Sequence, residues 1–188
     1  AKIDIDNSDN SIGLFAKSSA DVTNTGEISA TGKSVKAIIA NGSKVDSTGK
    51  ITVNGTALSD TDGSVGLASM DGANITQTNS DTNIIVDGSA SIGAYADGGT
   101  GSIASTKLTV NGGTITAKGG AFNIYAGNKA TVTLNGANLN TEQKSLAFYT
   151  TNNGKVDFGT GSTKTIATIK GGTDSNSRGT AFLFKASG

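Results

Sequence analysis

The chain has 188 residues, 15 basic and 15 acidic, with no net charge. It has 27 glycines but no histidine, cysteine, proline or tryptophan. These absences exclude thiolate chemistry, the usual Cys/His zinc sites and a Ser-His-Asp triad. With no basic stripe, a nucleic-acid backbone has no counter-charge to meet.

Only 35% of the residues are hydrophobic, which suits a thin, elongated core. Regular apolar alternation argues against a disordered chain, which has no reason to keep a period of two. No stretch approaches the roughly 20 apolar residues of a membrane helix. The first residues, Ala1 to Asp6, alternate like a strand rather than open a secretory signal, and Ala181 to Lys185 are also mid-pattern. Neither end reads as a polar cap, so the expectation is one segment, 1–188, of a longer chain.

One phrase recurs: a small or polar residue, alternating apolar positions and often an aromatic near the end. It begins at Ser11, Ser34, Ser64, Ser91, Ala121, Ser145 and Thr180, so successive phrases lie 23 to 35 residues apart. Repeats of roughly 20 to 50 residues mark solenoids and propellers. Glycine and β-branched residues break every window that could carry a helical period, and strand patterns dominate. The second repeat predicts strands at 35–40, 44–46 and 50–54, the fourth at 92–96, 107–111 and 114–117, and the fifth at 122–126, 130–135 and 137–140. Between them stand Asn-Gly and Asp-Gly pairs such as Asn41-Gly42, Asn54-Gly55, Asp71-Gly72 and Asn111-Gly112, which tolerate left-handed corners.

Antiparallel hairpins and a parallel β-helix both fit such strands. Apolar type holds its phase from repeat to repeat. Ile12, Val35, Val65, Ile92, Phe122 and Leu146 share one expected inward position. Leu14, Ala37, Leu67, Ala94, Ile124 and Phe148 share the next. Stacked coils need this, because each inward side chain rests on its counterpart about 4.8 Å away; hairpin partners do not. A propeller blade would want about 40 residues. The expected fold is therefore all-β: a right-handed parallel β-helix of about seven coils, three short strands per coil, roughly 35 Å long.

Ser11-Ile12-Gly13-Leu14-Phe15-Ala16 and Ser91-Ile92-Gly93-Ala94-Tyr95-Ala96 resemble the recurring units of bacterial type V autotransporter passenger domains. Thr48 to Gly55 resembles their rungs, and the likeness is nearest to large adhesins of the fusobacterial type. The units are short and compositional. The resemblance implies a β-helix exported through the outer membrane and shown on the cell surface or released. Its membrane barrel and signal would lie outside this sequence.

The alternation places Phe15, Ile38, Ala68, Tyr95, Tyr125, Tyr149 and Phe184 at one outward phase. Phe15, Tyr95, Tyr125, Tyr149 and Phe184 are thus the candidate binding residues: a strip of rings offers large contact area at low entropy cost, or else a ladder that stabilises the rod. Asp4, Asp6 and Asp9 begin like a calcium loop but lack its glycine and its closing glutamate. Asp97 to Gly101 contains a glycine run that does not recur, and Gly159 to Thr165 has the wrong spacing for a phosphate loop. Asp21, Asp46 and Asp71 could stack as the carboxylates that glycoside hydrolysis needs, yet each sits in or beside a turn. The expectation is no enzyme, no catalytic residues, no metal and no cofactor.

Longer coils at 59–62, 77–83, 98–105, 159–165 and 173–178 suggest insertions that could gather on one binding face. The functional expectation is a monomeric segment of a surface adhesin that attaches to host or bacterial cells through a protein or glycan. The alternative is a stalk that presents a distal tip, with a carbohydrate-active β-helix enzyme as a remote third. No nucleic-acid partner is expected, and contact with a membrane only through the barrel outside this sequence.

Overall fold

Each strand pairs in parallel with the strand three places before or after it in the chain, so the chain winds and does not fold back. The computed structural model describes residues 1–159, 163–170 and 179–185. The first coil is β1 (Lys2–Ile5), β2 (Ile12–Lys17) and β3 (Asp21–Asn24). Next come β4 (Glu27–Lys33), β5 (Lys36–Asn41) and β6 (Lys44–Ser47), then β7 (Ile51–Thr56), β8 (Val65–Met70) and β9 (Asn74–Gln77). The fourth coil is β10 (Asn83–Asp87), β11 (Ile92–Asp97) and β12 (Lys107–Asn111), and the fifth β13 (Thr114–Lys118), β14 (Phe122–Gly127) and β15 (Thr131–Asn135). The sixth is β16 (Asn138–Thr141), β17 (Leu146–Thr151) and β18 (Lys155–Asp157), followed by β19 (Ile166–Ile169) and β20 (Thr180–Lys185).

Three parallel sheets result. Sheet A runs β1-β4-β7-β10-β13-β16-β19, sheet B runs β2-β5-β8-β11-β14-β17-β20, and sheet C runs β3-β6-β9-β12-β15-β18. The fold is the expected three-strand β-solenoid, with six complete coils and two strands of a seventh among the described residues.

The core is a set of stacked columns. In sheet B, Leu14, Ile38, Leu67, Ala94, Ile124, Phe148 and Phe182 are in register. In sheet C the column is Val22, Val45, Ile75, Leu108, Val132 and Val156. From Val45 to Val132 and from Ile38 to Phe148 these side chains are buried. Each fully buried aliphatic side chain is worth about 1.5–3 kcal/mol relative to exposure.

Two corrections follow from the register. The column of Ile12, Val65, Ile92, Phe122 and Leu146 faces outward, and Ile12 is 45% exposed. Each of these strands carries two consecutive inward residues, as at Gly93 and Ala94, which turns the preceding residue out. A Cβ at Gly93 would collide with Ile115 Cγ2 and the Asn123 carbonyl, so this inward position takes glycine or alanine in most coils. In the fifth coil it takes Asn123, whose Nδ2 donates to Ile115 O (2.9 Å) and Asn140 O (3.1 Å) while its Oδ1 accepts from Thr141 Oγ1 (2.6 Å).

The second coil is also offset by one residue. Lys36, and not Val35, pairs with Ile12 and Val65, and Ile38 takes the inward place expected of Ala37. Ser34 stands at the left-handed corner (φ 53°), as Asn10 (55°) and Lys144 (69°) do in their coils. The serines one place later, Ser64, Ser91 and Ser145, are buried staples. Val35 N donates to Ser64 Oγ (3.1 Å), Ser64 N to Ser91 Oγ (3.1 Å), and the two hydroxyls donate to Thr56 O and Asp87 O at 2.7 Å. Asn54-Gly55 lies inside β7 and makes no turn.

Ile124→Asp is expected to lower the unfolding free energy by about 4 kcal/mol or more, because a buried carboxylate would have no partner. Ile92→Asp, on the outward column, is expected to cost about 1 kcal/mol or less. Urea denaturation followed by circular dichroism compares them, and equal losses would contradict the outward column.

Candidate functional site

Sheets A and C turn polar residues outward: Ser29, Thr52, Thr116 and Asn140 on one, Thr76, Lys107, Thr109 and Thr133 on the other. Sheet B differs. Two of its outward columns are Ile12, Lys36, Val65, Ile92, Phe122 and Leu146, and Phe15, Ile39, Ala68, Tyr95, Tyr125 and Tyr149; a third, along the strand ends, begins with Lys17, Asn41, Met70 and Asp97. Of the twelve residues in the first two columns only Lys36 is charged. At about 4.8 Å per coil and about 3.3 Å per residue, these two columns measure roughly 29 by 10 Å.

Of the five ring positions expected from the sequence, Tyr95, Tyr125 and Tyr149 come together. The Tyr95 and Tyr125 centroids are 4.8 Å apart with planes 21° apart, and Tyr125 and Tyr149 are 5.4 Å apart and tilted by 50°. Phe122 joins them from the neighbouring column, 5.7 Å from Tyr149. Phe15 keeps the phase and is 57% exposed, but Ile39 and Ala68 separate it from the tyrosines. Phe184 is one place off: β20 pairs it with Thr150, and Leu183 takes the place beside Tyr149. Ile38 is likewise inward, with Ile39 in its expected place. The sequence assigned Phe122 to the core because the double inward step at Asn123 and Ile124 is invisible to simple alternation.

A polar edge borders the tyrosines. Asp97, buried at the end of β11, accepts from Gly99 N (2.6 Å), Asn128 Nδ2 (2.7 Å) and, at 3.4 Å, Tyr125 Oη. Asn128 Oδ1 in turn accepts from Asn152 Nδ2 at 2.9 Å, so an amide ladder runs on into the sixth coil. Asn128 (φ 49°) and Lys129 (65°), then Asn152 (48°) and Asn153 (61°), turn this corner in consecutive left-handed pairs. Burial, with the Asp97 carboxylate behind it, pushes the Tyr125 phenol up to about 12 and raises Tyr95 as well.

The other sequence candidates do not converge. Asp21 pairs with Lys44 in register, Asp46 lies between Thr23 and Thr76, and Asp71 sits at a corner accepting Asn41 Nδ2 at 2.7 Å. Among the described residues no three carboxylates gather as a metal site would require. The longer loops fall at all three corners: 57–63 leads from sheet A to B, 78–82 from C to A, and 98–106 from B to C. They make no single loop face. The expected insertion at 159–165 lies partly, and that at 173–178 wholly, outside the described residues. Loop 57–63 is tied to the coil by Asp62, which meets Ser34 Oγ and Lys36 Nζ (3.2 Å to the latter); the Ser34 hydrogen bond, then Lys36, lowers its pKa.

No protein-family model, no curated protein and no solved structure matches this chain.

Above pH 10 an unfolded chain loses its phenolic protons, while Tyr95 and Tyr125 keep theirs in the fold. Stability is therefore full below pH 10 and falls as pH rises from 10 through about 12. Absorbance at 295 nm during alkaline titration should show two phenols titrating late, together with unfolding. Tyr95 and Tyr125 titrating near pH 10 in the folded chain would contradict their burial.

Proposed function

We propose that this chain is a segment of a surface-displayed adhesin of the autotransporter type, which attaches to host or bacterial cells through the outer face of sheet B. The observation that carries the reading is the asymmetry of the three faces. Two are mainly polar and charged, with Thr, Asn, Ser, Lys and Asp interrupted by Ile85 and Ile166; the third carries a mainly apolar and aromatic strip broken by Lys36. The largest apolar patch of a typical monomeric protein is about 300–600 Å² and is often functional. At roughly 300 Å² the strip is well short of the ~800 Å² per partner of a standard globular interface. An elongated ligand, a glycan chain or an extended peptide, matches a strip about 10 Å wide. Surface display is part of this reading and rests on the likeness of the repeats to passenger domains.

The ring geometry favours a second reading, the stalk. Tyr95 and Tyr125 stack face to face, so they spend their π-faces on each other and turn edges to solvent. A sugar ring seeking a flat platform finds fewer open faces than three separate tyrosines would give. In this reading the ladder stiffens the rod.

A binding screen on glycans and on whole cells separates the two. The adhesin reading expects saturable binding that falls at least about tenfold in Phe122→Ser and Tyr149→Ser. Thr109→Ser on sheet C should leave binding unchanged. The stalk reading expects no binding by the parent chain, and Tyr125→Ala should then lower only the unfolding free energy, by about 1 kcal/mol. Binding that survives both strip substitutions would remove sheet B as the contact face.

A further inference from the structure

From the third coil to the sixth, the strip on sheet B offers almost no hydrogen-bonding side chains. Val65, Ile92, Phe122 and Leu146 have none, and in the facing column only the tyrosine hydroxyls remain, with that of Tyr125 turned to Asp97. Between the columns each strand turns two residues inward, as at Gly93-Ala94 and Asn123-Ile124, so the floor is backbone that pairs with the coils above and below. Ala68 stands between Ile39 and Tyr95 in its column. Its methyl is only 4% exposed, which leaves a notch in a row of larger side chains.

These features discriminate among elongated ligands. A strand-like peptide would bring backbone N–H groups to a surface with nothing to accept them, at about 1–3 kcal/mol for each one buried. Its same-face side chains also recur about every 6.7 Å, out of step with coils about 4.8 Å apart. A glycan brings hydroxyls with the same unmet need. A polyproline II chain avoids both difficulties, because proline has no N–H to bury. Its three-residue turn advances about 9.3 Å, against about 9.6 Å for two coils. Three turns cover the strip with a drift of only about 1 Å. The helix is formed before it binds, so docking orders little, which a face of roughly 300 Å² requires.

We infer that the strip binds a proline-rich segment of a partner protein in the polyproline II conformation, lying along the rod axis with a proline over every second coil. The inference rests on the adhesin reading of this face and names its ligand. Aromatic-lined grooves recognise such segments through the same preformed helix. With one proline seated in the Ala68 notch, the proline three residues on falls beside Tyr125, two coils away. Phe122 leans to within 5.7 Å of Tyr149 and walls that second seat. The stacking of Tyr95 on Tyr125, which denies a sugar its flat platform, leaves both seats open. No charge stands in either column from Val65 to Tyr149, so the segment is uncharged where it touches.

The probe is a fluorescent decaproline, about 31 Å long, titrated with the full chain and followed by anisotropy. Saturable binding is expected. A decamer of alternating threonine and valine should bind at least about tenfold more weakly, since its amides would go unpaired. Phe122→Ser and Ala68→Ile should each weaken decaproline at least about tenfold, with the circular dichroism spectrum and melting temperature kept. Ala68→Ile fills the notch while making the strip more apolar, so its loss reports shape and not general adhesion. If these variants fail to fold, the comparison of the two peptides still decides. No saturation up to millimolar decaproline, equal binding of the two decamers, or binding unchanged in both folded variants overturns the inference. Binding of cells or glycans that is lost in Phe122→Ser while decaproline does not bind overturns the ligand and leaves the adhesin reading standing. Decaproline that binds through the strip while cells and glycans do not supports the ligand and removes attachment to cells.

Discussion

The structure depends on one constraint: each residue must tolerate its own counterpart about 4.8 Å above and below. A parallel ladder repeats that demand at every position of every coil. Columns of Ile, Val and Leu satisfy it inside, where each side chain is packed by the next. A charge in such a column would be felt by two neighbours with no water to screen it. Several buried polar side chains meet the demand by hydrogen bonding, while among the described residues Ser43 Oγ and Gln77 Oε1 are buried with no hydrogen-bond partner. Asn123 reaches two carbonyls and a threonine hydroxyl, and Gln77 Nε2 donates to Gly49 O (2.9 Å) and Thr82 Oγ1 (2.8 Å).

Winding also requires three corners per coil, and these set much of the composition. A corner needs backbone that L-residues with large side chains avoid. Asn, Asp, Ser and Gly fill many of those places, from Asn10 and Ser34 to Asp71-Gly72 and Asn152-Asn153. Buried serines then secure the corner between sheets A and B by taking backbone donors from one coil and returning a hydroxyl to another. The abundance of glycine and serine reflects these local tasks, and not disorder. Because the corners carry the irregularity, insertions can enter at any of them without disturbing the columns.

Function in such a rod has to come from differences among faces, since every coil is built alike. Two faces are mainly polar and one is mainly apolar, and the latter is edged by Asp97, Asn128 and Asn152. The strip is long and narrow, so it favours contacts that accumulate along the axis over a single deep pocket. The stacked tyrosines serve both readings of the face: they fix their neighbours in register, and they leave phenolic and aliphatic edges at the surface.

Spacing and alternation alone determined the all-β class, the parallel winding, the three strands per coil and nearly every strand in the repeats read closely. They did so because stacking forces like residues to recur at like places. They also brought Tyr95, Tyr125 and Tyr149 to one phase. Only the tertiary structure decided which side of each strand faces in at its first residues. Two inward positions in succession, as at Gly93-Ala94, break the period of two that the sequence reading relied on, and this sent Ile92 and Phe122 outward. It also decided the one-residue offsets at Ser34 and Phe184, because register is set by which residue can occupy the left-handed corner and by backbone pairing, and not by the resemblance of one phrase to the next.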